Sequence, residues 1–149
     1  MNRLLAEIEL PQDVEQLTQE YRVLQQFLHL APVGLLRVRD NGDINVMNPM
    51  AAQLLGPLGL DQGEVNLFNL LEPVSQDIRI LCKTFSDVVG LICENFRVVL
   101  PAASTGADGP WALGITVMRV SAKDDPLMVV VTDQTGALKL QRLQVSFAR

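Results

Sequence analysis

The sequence predicts an α+β fold: one five-stranded antiparallel sheet covered on one face by helices, with an amphipathic helix at each end. Three observations carry that prediction. An Asn41-Gly42 pair separates two β-like runs, a middle stretch repeats its apolar residues at helical spacing, and the C-terminal half holds three strand-like runs.

Pro11 divides a short leading segment from a helical run that starts near Asp13. From there Val14, Leu17, Tyr21, Leu24, Leu28 and Ala31 recur at spacings of 3, 4, 3, 4 and 3, an a/d heptad seam with glutamates and glutamines on the other faces. Fewer than three heptads are present, so a dimer seam and a packing face on the chain's own sheet both stand. Val23, Phe27 and Leu30 widen the stripe. Pro32 ends the helix, because the residue before a proline is pushed out of the α region.

Val33–Arg39 and Ile44–Met47 flank the Asp40-Asn41-Gly42-Asp43 turn, which is expected to be type I′ with both Asn41 and Gly42 at positive φ. Leu36, Val38, Ile44 and Val46 then share the buried face. Asn48 caps a short helix with Pro49 at its first position and Gly56 as its stop. A helical turn over 66–71 follows, and then a longer helix from Ser75 through Val89, with Gly90 ending it. Leu91–Leu100, Trp111–Val120 and Leu127–Thr132 are the last three strands. The third is apolar almost throughout, as in a central strand covered on both faces. After Asp133 the spacing of Leu140, Leu143 and Phe147 is helical again. The expected organisation is an N-terminal helix over 1–30, a core over 31–133 and a C-terminal helix over 134–149, with a cavity between the sheet and its helices.

Composition narrows the function. The 149 residues are 48% hydrophobic and 19% charged, enough to fill a core. A net charge of −5 argues against broad binding to nucleic acid or anionic lipid. No apolar run reaches the roughly 18 residues of a membrane span, and Met1–Glu7 lacks the apolar stretch of a signal peptide. Two cysteines and one histidine leave little material for metal or acid–base chemistry, and point to a cytoplasmic protein that is not an enzyme.

Three stretches, Ala31–Leu36 running into Asp40–Ile44, Asn48–Gly56 and Val130–Thr135, together resemble the PAS sensory domain family of bacterial signalling proteins. Ala31-Pro32-Val33-Gly34-Leu35-Leu36, running into Asp40-Asn41-Gly42-Asp43-Ile44, is similar to the family's opening and its first hairpin. Asn48-Pro49-Met50-Ala51-Ala52-Gln53-Leu54-Leu55-Gly56 is similar to the segment after the second strand, and Val130-Val131-Thr132-Asp133-Gln134-Thr135 to the terminal strand before a signalling helix. The resemblance covers about residues 31–135. It implies a PAS-like, profilin-like sheet that receives a small-molecule or partner signal. Flanking helices would pass that signal to a covalently linked output module, such as a histidine kinase or a nucleotide or diguanylate cyclase. It also implies that Asp133 and Thr135 relay the signal. The family often continues with Glu and a basic residue where this chain has Gly136-Ala137, and Lys139 or Arg142 is the candidate replacement.

The chemistry-bearing residues are few. His29 lies in the N-terminal helix, whereas haem-binding members of that family place the ligand on the central helix. Cys82 is on the central helix, but Ile78, Leu81 and Phe85 around it suit a small buried hydrophobe. No segment matches the cysteine motif of the family's flavin photoreceptors, and no phosphate-loop, nucleophile-elbow or zinc-protease string occurs. Phe85, Phe96 and Trp111 are candidates to line a ligand pocket, the ligand itself being unspecified. A homodimer through Leu17, Tyr21, Leu24 and Leu28 is the expected assembly. The rival reading is a ligand-free homodimerisation scaffold with its pocket filled by side chains.

Overall fold

The computed structural model describes residues 2–100, 112–121 and 123–148, and the side chains of 13–100, 112–121 and 123–144. Two compact units divide it, Met1–Ala31 and Pro32–Arg149.

The first unit is one helix, α1 (Asn2–Leu30). It runs through Pro11, where the sequence sets a break. A proline removes a single intrahelical hydrogen bond, and strong helix formers stand on both sides, Leu4, Leu5, Ala6 and Glu7 before it and Glu15, Gln16 and Leu17 after.

In the second unit, β1 (Gly34–Val38), β2 (Ile44–Met47), β3 (Gly90–Val99), β4 (Ala112–Arg119) and β5 (Leu127–Asp133) form one sheet in the order β2-β1-β5-β4-β3. All four pairings are antiparallel. The first hairpin is present, but its turn differs from type I′. Gly42 (φ 98°) takes positive φ and Asn41 does not. Gly42 N–H donates to Arg39 O and Arg39 N–H to Asp43 O, both at 2.9 Å. This is a three-residue loop closed by a left-handed glycine. Asn41 Oδ1 instead accepts from Asp43 N–H at 3.0 Å. The β1–β2 register then slips: Arg37 faces Val46 and Val38 faces Ile44, so Asn45 is an extra residue. The slip puts Val46, expected inside, on the open face at 56% exposure, while Ile44 and Met47 pack against the core.

α2 (Pro49–Leu55) starts where expected, with Asn48 Oδ1 accepting from Ala51 N–H at 3.0 Å. Gly56 does not turn the chain away. At φ −50°, ψ −52° it continues into a 3₁₀ turn, Gly56–Leu58, followed by a second over Leu60–Gln62. Asn66 caps α3 (Leu67–Leu71) by accepting from Asn69 N–H at 3.1 Å. α4 is Asp77–Thr84, much shorter than the Ser75–Val89 helix the spacing suggested. Phe85 is already extended (ψ 117°), and Val88 and Val89, β-branched and poor helix formers, are exposed.

The core lies on one sheet face. Leu36, Val38, Val98, Leu113, Ile115, Val117, Leu127, Val129 and Val131 meet Ala51, Leu54 and Leu55 of α2, Leu67, Phe68, Leu70 and Leu71 of α3, and Ile78 and Cys82 of α4. β5 is central in position but not covered on both faces: Leu127, Val129 and Val131 are buried, and Met128 is exposed. Its chain continues into α5 (Thr135–Ala148).

Candidate functional site

Three places hold the residues singled out in the sequence. The first is α1. Val14, Leu17, Tyr21, Leu24 and Leu28 are all exposed, at 46–64%, and Phe27 and Leu30 reach 72% and 81%. His29 is also exposed, in the last helical turn.

The second is a cleft of about 890 Å³ lined by three separate segments: the β1–β2 turn, the end of α4 with its following loop, and the β4–β5 turn. Cys82, Phe85, Val88, Val120 and Pro126 supply apolar surface. Cations (Lys83, Arg119, Lys123) and carboxylates (Asp40, Asp87, Asp124) are present in equal number. Arg119 Nη2 bonds Asp40 Oδ1 at 2.9 Å, which ties the first turn to the end of β4, while Arg119 Nε is buried with no hydrogen-bond partner. Burial pushes the Cys82 thiol up to about 11, with Cys93 and Asp40 adding to the rise and Arg119 opposing it. At neutral pH this sulfur is a protonated thiol, so it is not poised as a nucleophile.

Of the aromatic residues expected to line one pocket, Phe85 lines this cleft. Phe96 does not. It faces Ile115 across β3–β4 and packs half-buried against the core. Trp111 lies outside the described residues. Between the sheet and the helices, where a cavity was expected, lies a cluster of buried apolar side chains. The cleft was not legible in the sequence because its walls come from three segments some 30–40 residues apart in the chain, at the ends of elements and in the loops beside them.

The third place is the junction of β5 and α5. Thr135 N–H donates to Asp133 Oδ1 at 2.9 Å, and Ala112 N–H to Thr135 Oγ1 at 3.4 Å. Between these two residues Gln134 N–H donates to Ala112 O at 2.8 Å, and Gln134 O accepts from Leu138 N–H at 3.0 Å. Gln134 O therefore accepts the first helical hydrogen bond from just before α5, and Asp133 caps from one position earlier.

Among the described residues, no group of three His, Cys, Asp or Glu side chains is placed to hold a metal ion. None of the described helices is long and apolar enough to cross a membrane. No protein-family model matches the chain, and no curated protein matches it.

Proposed function

We propose that the chain is a PAS-like sensory or regulatory module that dimerises through α1 and passes a partner or small-molecule signal to an output module through its flanking helices. The observation that carries this reading is the exposed a/d stripe of α1, with Leu17, Tyr21, Leu24 and Leu28 on one seam. Monomeric proteins seldom leave such a stripe in water, and heptad spacing suits a second copy of the same helix. The antiparallel sheet with helices on one face, and the helix leaving its central strand, fit the same reading.

The cluster of buried apolar side chains between sheet and helices supports the version in which the sheet responds to a partner rather than to a molecule held there. The cleft at Cys82 and Arg119 is where a small-molecule version would bind. Native mass spectrometry of freshly purified protein tests the proposal. A dimer is expected, and a retained small molecule would select the ligand-sensing version. A monomer at every accessible concentration contradicts the reading.

A further inference from the structure

β3 is an edge strand whose pairing with β4 breaks twice, between Leu91 and Cys93 and between Cys93 and Phe96. Inside the second break Asn95 stands at φ 48°, the one non-glycine residue at positive φ among those described. Asparagine reaches that region more readily than most residues, yet the conformation still costs energy and persists only where its surroundings impose it. Here Asn95 N–H donates to Thr116 Oγ1 at 2.9 Å, a side-chain acceptor from the neighbouring strand.

The bulge sends the Asn95 side chain across Gly114 of β4. A Cβ at Gly114 would overlap Asn95 Oδ1 and would lie 2.8 Å from Thr132 Oγ1 and 3.0 Å from Gln134 Cγ. Side chains from β3, from β5 and from Gln134, the residue just before the outgoing helix, thus converge on the one point of β4 left empty by a glycine. Gln134 is bound into that point, because its Nε2 donates to Thr132 Oγ1 at 3.0 Å. Further along β3, Arg97, the cross-strand partner of Gly114, donates to Gln141 Oε1 at 2.6 Å, two turns into α5. The other end of β3 begins at Gly90, where an added Cβ would stand 3.1 Å from the Phe85 ring, and Phe85 lines the cleft.

We propose that the bulged register of β3 sets the pose of α5, with Asn95 as the positioning residue acting across Gly114 on Gln134. The edge strand is then the element through which a change at the loop after α4 reaches the outgoing helix. An edge strand can take this role because it is paired on one side only, and a bulge already supplies the extra residue that a change of register needs. The proposal deepens the functional reading above, from which it takes only α5 as the output helix.

Hydrogen exchange on the full chain tests it with Gly114→Ala, Asn95→Gly and the double variant. Gly114→Ala displaces the Asn95 side chain and crowds Thr132 Oγ1 and Gln134 Cγ, so amides of Gln134–Gln141 should exchange about tenfold faster while those of β1 and β5 keep their protection. Adding Asn95→Gly lets the new methyl occupy the vacated space and should return exchange to near the parent rate, a non-additive rescue. Unchanged α5 exchange in Gly114→Ala, or no rescue in the double variant, overturns the proposal. Should Gly114→Ala fail to fold, Asn95→Gly alone decides: faster exchange confined to Gln134–Gln141 supports the proposal, and parent-like exchange overturns it. Light scattering on the same samples separates the two readings, since loss of the α1 dimer would contradict the functional reading without touching this coupling.

Discussion

Leu35 and Asn48 hold each other by two reciprocal hydrogen bonds. Leu35 N–H donates to Asn48 Oδ1 at 2.8 Å, and Asn48 N–H donates to Leu35 O at 3.0 Å. The same side chain caps α2 through Ala51 N–H and donates Nδ2 to Val33 O at 2.9 Å. Asn48 is the one buried polar residue among the described core positions, and its amide joins strand to helix from a largely buried position. Asn48→Ala loses the cap and strands the Leu35 and Ala51 donors, so it should cost about 2–4 kcal/mol. Asn48→Asp keeps the acceptor and loses the amide donor that bonds Val33 O, so it should cost less. Urea midpoints at constant m-value check the order.

Gly34 lets α2 approach β1. A Cβ there would meet Ala51 Cα at 2.9 Å, a backbone atom that cannot swing aside. Gly34→Ala should therefore destabilise by about 1–3 kcal/mol through overpacking. Replacing Gly63, where an added Cβ meets nothing within 4 Å but φ is 98°, should cost only the backbone preference. Equal urea midpoints for Gly34→Ala and the parent would contradict the packing account.

The raised thiol of Cys82 makes stability fall in alkali. Its pKa is about 11 in the fold against 9.0 when unperturbed, so the folded chain holds that proton more tightly than the unfolded one. The contribution is complete below pH 9 and is lost as pH climbs toward 11. Cys93 is shifted the same way by its own burial. Cys82→Ala should flatten this alkaline decline in urea titrations, and an unchanged slope would assign it elsewhere.

Much of this fold is legible from local signals whose cause is local. Asn48 is readable as a cap because an Asn before Pro49 and a short apolar stretch does little else, and Asn41-Gly42 marks a reversal whatever the turn type. The turn's own geometry is not readable, since one left-handed glycine and two left-handed residues suit the same dipeptide. Nor is the end of α4: Ile78, Leu81, Cys82 and Phe85 keep helical spacing, but the backbone leaves the helix at Phe85 (ψ 117°). The bulges that turn Val46 outward and lay Asn95 over Gly114 depend on cross-strand register, which no single strand's pattern encodes. The cleft fails to show for the same reason.

Asp133 caps the start of α5 from an exposed position, with one hydrogen bond to Thr135 N–H. Losing such a cap costs about 1 kcal/mol, small against a domain stability of about 5–15 kcal/mol but several-fold in a local helix equilibrium. Asp133→Ala should leave the urea midpoint of the core within error and speed exchange at Thr135–Leu138. Unchanged exchange there would reduce Asp133 to a surface carboxylate.

The central claim is that α1 is the dimer seam. Fully burying one leucine contributes roughly 1.5–3 kcal/mol, and association costs about 4–15 kcal/mol, so a seam of this length supports a dimer that one or two substitutions can dissolve. The direct measurement is molar mass by light scattering across a concentration series for three proteins: the full chain, Leu17→Glu/Leu24→Glu, and residues 31–149. The account predicts twice the chain mass for the first and a folded monomer for the other two. A full chain that stays monomeric, or a 31–149 fragment that dimerises with undiminished affinity, would contradict it.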